Sequence, residues 1–334
     1  MEHQGNTRET RRAGETPLIA LLRELVEIES PSGSAGVSAV ASRMGEELER
    51  LGAEVTLLER GHLRAELPGR RPPLLLSGHV DTVWPEGTIA EMPFRVEGGT
   101  AFGPGAYDMK AGLVVMVEGI GRAGDDRRAL RVFLTADEEK GSPTGRPLLE
   151  QATEGVAAAF VVEPPSPRGN LKTSRKGLGR FTLRITGRAA HAGTNRAAGV
   201  SAVEELAHQT LALEALTDER TGTAVNVGVV SGGTAENVVA AEAEARIDVR
   251  VATNADRERV ERALTELRPV NPEAELELGG GSDGNLIGAL GVPVLDGLGA
   301  QGAGAHSPDE HVELGSIPLR AELLARLLQD PGLS

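Results

Sequence analysis

Three short apolar runs in this chain each stop at ionisable side chains. PPLLLSG (72–78) leads into His79 and Asp81, LRVFLTA (130–136) into Glu138 and Glu139, and AAAFVV (157–162) into Glu163. Such runs read as buried strands. Residues 17–30 and 36–52 carry helical periodicity with polar outer faces, and 109–121 suits a helix. Two further apolar runs, AEVTLLE (53–59) and LRAEL (63–67), precede the first strand of the set. Strands alternating with helices predict an α/β layer architecture with a largely parallel sheet. Sheets of that kind place their sites where strands end.

The pattern changes near residue 178. FTLRITG alternates as a strand, 199–215 is helical, and 223–231 and 240–251 form two strands joined by a turn. A helix at 255–268 and a short strand at 274–278 complete a β-α-β-β-α-β order, the ferredoxin-like split βαβ unit. GGGSDG (279–284) reads as a linker, and a last helix spans 316–329. The expected division is therefore 1–176 with 280–334 as one domain and 177–279 as a smaller insert. Linkers near 175–178 and 279–284 would let the insert move. With 334 residues, two cores are the natural expectation.

Composition narrows the chemistry. The chain has no cysteine, so a metal can be held only by His, Asp and Glu. A net charge of -14 speaks against nucleic acid and against anionic membranes as partners. With one Trp, one Tyr and five Phe, the core must be aliphatic. No run reaches the length of a membrane span, and the polar first fifteen residues lack the apolar core of a secretory signal. They read as a frayed tail, and a cytoplasmic location is expected.

Singly, the polar segments have ordinary explanations. His79 and Asp81 in SGHVDTVWP can be a loop pair, and Asp108 in GPGAYDMKAG can be a helix N-cap. Glu138 and Glu139 in TADEEKGS can be a solvated acidic loop, and His306 in GAGAHSPDEH an exposed loop histidine. Glu163 ends a buried run, where a carboxylate needs a partner. Taken together they supply five potential metal ligands at strand ends and glycine-rich turns.

The set GHVDTVWP, FGPGAYDMKAG, TADEEKGS, ITGRAAHAG and the final GAHS loop, in this order and spacing, resembles the aminoacylase/carboxypeptidase G family of co-catalytic zinc metallopeptidases. PFRVEGGTAFGPG (93–105) is most similar to the glutamate carboxypeptidase branch. The resemblance covers roughly residues 17–330. It implies an α/β, mainly parallel-sheet zinc-peptidase catalytic domain with the ferredoxin-like insert as a lid, through which the chain could dimerise.

By resemblance, Asp108 bridges two Zn2+ ions, with Co2+ or Mn2+ as substitutes. His79 and Glu163 complete one site, and Glu139 and His306 the other. Asp81 orients His79, and Glu138 is the general base that activates the attacking water. His191 polarises the scissile carbonyl, from the same chain or from a partner. Asn237 and Arg250 bind the substrate, Arg250 through its carboxylate. Glu rather than Asp at 163 goes with carboxypeptidases and deacylases rather than aminopeptidases. A cis peptide is expected after Asp108. The implied substrates are small peptides or N-acyl amino acids, cut beside a free carboxylate. The runner-up activity is N-acyl amino-acid deacylation at the same centre. Arg257, Arg259, Arg262 and Arg268 match no arginine that would select a glutamyl side chain. A non-catalytic binding protein would have lost ligands or the base, and a purely structural role would not need them.

Overall fold

The computed structural model describes residues 15–172, 177–251, 253–282, 287, 290–330 and 332. The chain divides into two compact units, one running to Ser174 and resuming at Ile287, the other spanning Arg175–Leu286. Most of the expected N-terminal tail, residues 175–176 of the first expected linker, and 283–284 of the second lie outside the described residues.

The first unit is α/β. Its six-stranded sheet runs Glu54–Leu57, Leu63–Leu67, Arg128–Thr135, Arg70–His79, Ala158–Val161, Val294–Leu295. The first two neighbour contacts are antiparallel and the other three parallel. The strand Arg70–His79 is buried from Pro73 onward on both faces, as the unbroken apolar run requires. Its core partners include Leu22, Leu25, Met44, Leu113 and Leu324 from the helices Pro17–Glu27, Ala35–Arg50, Ala111–Ala123 and Ser316–Gln329. Pro17 and the Thr16 side chain, which accepts from the amide of Ile19, start the first helix. A small antiparallel sheet of Gly302–Ala303, His311–Glu313, Thr100–Phe102 and Arg95–Glu97 completes this unit.

The helix Ala111–Ala123 is apolar nearly all round because it is covered on most sides. Two of its glycines permit that closeness. A methyl group on Gly112 would fall on the carbonyl oxygen of Val162, which is backbone and cannot step aside. One on Gly119 would meet side-chain atoms of Leu324 at 2.8–3.1 Å, a milder clash than one with backbone. Alanine favours a helix by about 1 kcal/mol over glycine. We expect Gly112→Ala to be destabilising all the same, by about 1–3 kcal/mol through overpacking, and Gly119→Ala to cost less. Urea unfolding of the two variants checks the order. Equal stabilities would mean that the helix approaches Val162 less closely than described.

The second unit has the expected order. Its elements are Gly177–Thr186, Ala202–Glu214, Ala224–Gly232, Glu242–Val251, Asn254–Thr265 and Glu275–Ser282. The sheet is antiparallel throughout, in the order fourth, first, third, second strand. Glu242–Val251 alternates so that Ala243, Ala245, Ile247, Val249 and Val251 enter the core. Ser201 and Thr253 cap the two helices by accepting from the amides of Glu204 and Asp256.

One expectation is corrected. GGGSDG does not begin as a linker, because Gly279, Gly280, Gly281 and Ser282 continue the last strand opposite Thr182, Phe181, Arg180 and Gly179. Glycine keeps its backbone N–H and C=O, so a neighbouring strand can hold it in register despite its low strand preference. Among the described residues, no helix is long and apolar enough to cross a membrane.

Candidate metal centre

Strand register brings the first candidate ligands together. His79 lies opposite Thr135, and Ser77 opposite Val161, so three parallel strands finish side by side. His79, the turn holding Glu138 and Glu139, and Glu163 follow at those ends. Asp108 arrives from a turn through Gly103 and Gly105, both at positive φ. A methyl at Gly105 would stand 2.5 Å from Thr82 Cγ2, so only glycine fits there. Asp108 itself leaves helical geometry, with φ -115° and ψ 94°, and the Asp108–Met109 peptide is cis.

The five donor residues meet around the Asp108 carboxylate. His79 Nε2 is 3.3 Å from Asp108 Oδ1 and 3.8 Å from Glu163 Oε1. His306 Nε2 is 3.4 Å from Asp108 Oδ2 and 3.4 Å from Glu139 Oε1. Each Asp108 oxygen thus faces a different histidine, and each histidine lies beside a different glutamate. Glu138 is close too. Donor atoms of His79, Glu138 and Glu163 lie within 4.8 Å of one another, as do those of His79, Asp108 and Glu139.

Asp81 works mainly on the turn. Its carboxylate accepts from Ser32 Oγ at 2.6 Å and from the amides of Glu138 and Glu139 at 3.1 Å each. His79 Nδ1 is 2.9 Å from the Asp81 backbone oxygen and 3.4 Å from its carboxylate. The nearer acceptor of the second ring nitrogen is therefore a carbonyl rather than the expected side chain. In either case a proton on Nδ1 is held by Asp81, which leaves Nε2, facing Asp108 and Glu163, as the nitrogen that can ligate once it gives up its own proton.

The charges are crowded. Burial and the charges of Asp108 and Glu138 push the Glu139 carboxyl up to about 7, against the opposing pull of His79 and His306. Hydrogen bonding to Asp108 lifts His306 to about 9 in spite of its partial burial, with Glu139 adding to the rise. Burial lowers His79, but Asp108, Asp81 and Glu163 outweigh it and hold the ring well above its usual value. Asp108 is half-buried, which would raise it, yet the two histidines keep it well below the usual carboxylate range. Glu139 Oε1 is a buried oxygen with no hydrogen-bond partner. An unpartnered buried carboxylate oxygen among oxygen and imidazole donors is what a divalent cation satisfies. The residues present fit such ions.

His191, Asn237 and Arg250 belong to the second unit. His191 is exposed, its Nδ1 accepting from the amides of Gly193 and Thr194, and the amide of Ala192 donates to the Asn237 carbonyl at 2.9 Å. Arg250 is on the exposed face of its strand and pairs with Asp248 at 2.9 Å. Nothing in the sequence marks Glu310, which the structure buries completely behind Asp108. Its one sequence trace is a carboxylate four places after His306.

Residues 75–330 match Peptidase family M20/M25/M40. Carboxypeptidase G2 of Pseudomonas sp. (strain RS-16) is 30% identical over 94% of this chain and 89% of its own. Succinyl-diaminopimelate desuccinylase of Psychrobacter sp. (strain PRwf-1) is 26% identical over 80% of this chain and 82% of its own. Among solved structures, an M20 family metallo-carboxypeptidase from Sulfolobus solfataricus superimposes with a TM-score of 0.75 at 17% identity. That likeness covers 94% of this chain and 99% of the other, and it concerns the fold.

Proposed function

The chain belongs to Peptidase family M20/M25/M40, whose members are metallopeptidases and related amidohydrolases, and on that premise we propose that it hydrolyses a peptide or acyl-amide bond beside a free carboxylate, in the manner of a glutamate carboxypeptidase. The observation that carries this is the division of the two Asp108 oxygens between His79 with Glu163 and His306 with Glu139. In this reading Asp108, His79 with Glu163, and His306 with Glu139 would hold two Zn2+ ions, and Co2+ or Mn2+ could replace them. Bound there, the ions supply Lewis acidity and lower the pKa of water.

The protein groups do the rest. Glu138 accepts the proton of the attacking water and returns it to the leaving nitrogen. Asp81 fixes the turn that presents Glu138 and Glu139 by binding both amides. His191 polarises the scissile carbonyl, in its own chain or across a dimer, while Asn237 and Arg250 hold the substrate. A homodimer through the second unit belongs to the same proposal. Among the described residues the strand Ala224–Gly232 is paired on one side only, and it exposes Val229 and Val230.

N-acyl amino-acid deacylation by the same centre is the second reading, favoured by the likeness to a desuccinylase over most of both chains. A panel of dipeptides, acyl-glutamates and acetyl- and succinyl-amino acids separates the two by their kcat/KM values.

Carboxylate recognition is tested at Arg250. A hydrogen bond to a charged group contributes about 1.5–3 kcal/mol, so Arg250→Ala should lower kcat/KM roughly 10- to 150-fold. The loss should be large for substrates with a free carboxylate and small for their amides. Arg250→Lys should recover only part of it, since an ammonium lacks the two-pronged guanidinium geometry. Equal losses on acid and amide would make Arg250 a structural residue paired with Asp248.

A further inference from the structure

The geometry points to Glu310 as a positioning residue that locks three ligand-bearing segments into one arrangement, an inference that rests on the metallohydrolase reading above. Its carboxylate is completely buried and accepts four hydrogen bonds. Oε1 accepts from the amides of Tyr107 and Asp108 at 3.0 Å each. Oε2 accepts from the amide of Gly105 at 2.9 Å and from Trp84 Nε1 at 2.7 Å. None of these four donors belongs to its own segment.

The donors come from the places that matter. Trp84 follows His79 and Asp81 on the loop after the central strand. Gly105, Tyr107 and Asp108 form the turn that delivers the Asp108 carboxylate. Glu310 itself closes the His306 loop, where its amide donates to the Ser307 carbonyl at 2.9 Å. His306 sits in that loop at a φ of 63°, a left-handed conformation that a non-glycine residue holds only when its surroundings fix it. Next to Glu310, His311 pairs with Phe102 just before the Asp108 turn. One carboxylate therefore ties the segments of His79, Asp108 and His306 together. Lys110, buried two residues after Asp108, donates to the Ile28 carbonyl at 2.8 Å and so anchors the other end of the same turn.

The pairing of donors makes the demand specific. Both oxygens receive two N–H groups, so the site needs an acceptor at each position. A glutamine offers one acceptor oxygen and one amino group, and either orientation turns that amino group toward two donors. Glu310→Gln, nearly unchanged in shape, should therefore behave much as Glu310→Ala does.

The test uses the full chain stripped of metal and titrated with Zn2+ against a competing chelator, followed by steady-state kinetics at saturating Zn2+. In Glu310→Gln the ion affinity should fall about 10- to 100-fold, the range for residues that orient metal ligands. A kcat deficit should persist at saturating Zn2+, with KM changed less. A merely structural role would lower the melting temperature and leave kcat at saturating metal alone. Should Glu310→Gln fail to fold, Trp84→Phe removes one of the four donors conservatively and should show a smaller loss of affinity in the same direction. Unchanged ion affinity and kcat in Glu310→Gln, or unchanged ion affinity in Trp84→Phe when that is the variant available, overturns the inference while the metallohydrolase reading stands. Wild-type protein that binds no ions and hydrolyses without them overturns the reading itself.

Discussion

Glu138→Gln is expected to keep the ion content of the protein and to lower kcat by about 10²–10⁴, the range for a lost general base. Glu139→Gln is expected to lose metal instead. The two side chains are neighbours on one short turn, and both have donor atoms close to His79, so distance alone does not divide the roles. Their surroundings do. Glu139 has a buried oxygen without a hydrogen-bond partner, lies 3.4 Å from His306, and is pushed up to about 7 by burial, with the charge of Asp108 adding to the rise. Such a group is stabilised by a cation and poorly served by water. Glu138 carries no comparable orphan among the described residues. Metal analysis and kinetics on both variants check the assignment, and the opposite pattern would show that ligand and base are exchanged.

Removal of the ions is expected to abolish hydrolysis, and Zn2+ or Co2+ to restore it. Several groups that would bind metal hold protons more tightly than usual in the metal-free protein. His306 stands at about 9, Glu139 at about 7, and His79 is raised well above its ordinary value. Ligation requires their deprotonated forms, so binding should release protons. The sign follows from the raised values. Lowering the pH from about 9 protonates His306 further, and passing below about 7 protonates Glu139, so the apparent ion affinity should weaken as the pH falls through that window. Calorimetric titration in buffers of different ionisation enthalpy reads the protons released. Full activity after exhaustive chelation would sink the metal mechanism, and pH-independent affinity would remove these groups from the ligand set.

Much of this was legible in the chain because local chemistry repeats at local spacing. An unbroken apolar run followed by His79 or Glu163 marks a strand buried on both faces and ending at a polar rim. The β-α-β-β-α-β order of the second unit could be read from its periodicities, since alternation and 3.6-residue spacing are properties of neighbouring residues. Glycine content was a weaker guide. Gly279–Gly281 suggest a linker by composition, yet their backbone is held by the strand Gly177–Thr186. Register with a distant segment overrode local preference there.

The sequence by itself therefore determined which residue types are available for a metal, where strands deliver them, and which family's motif order they follow. With no cysteine, any metal ligands have to be His, Asp and Glu, and the apolar runs put such residues at strand ends. Only the tertiary structure decided which carboxylate oxygen faces which histidine, that the Asp81 carboxylate binds the glutamate amides while its carbonyl takes the nearer contact with His79, and that Glu310 closes the back of the site. Glu310 meets its backbone partners across more than two hundred residues of chain, at Gly105, Tyr107 and Asp108. No periodicity spans such a separation. A buried carboxylate and an exposed one are the same letter until the fold removes water from one of them and leaves it to find its donors in the backbone.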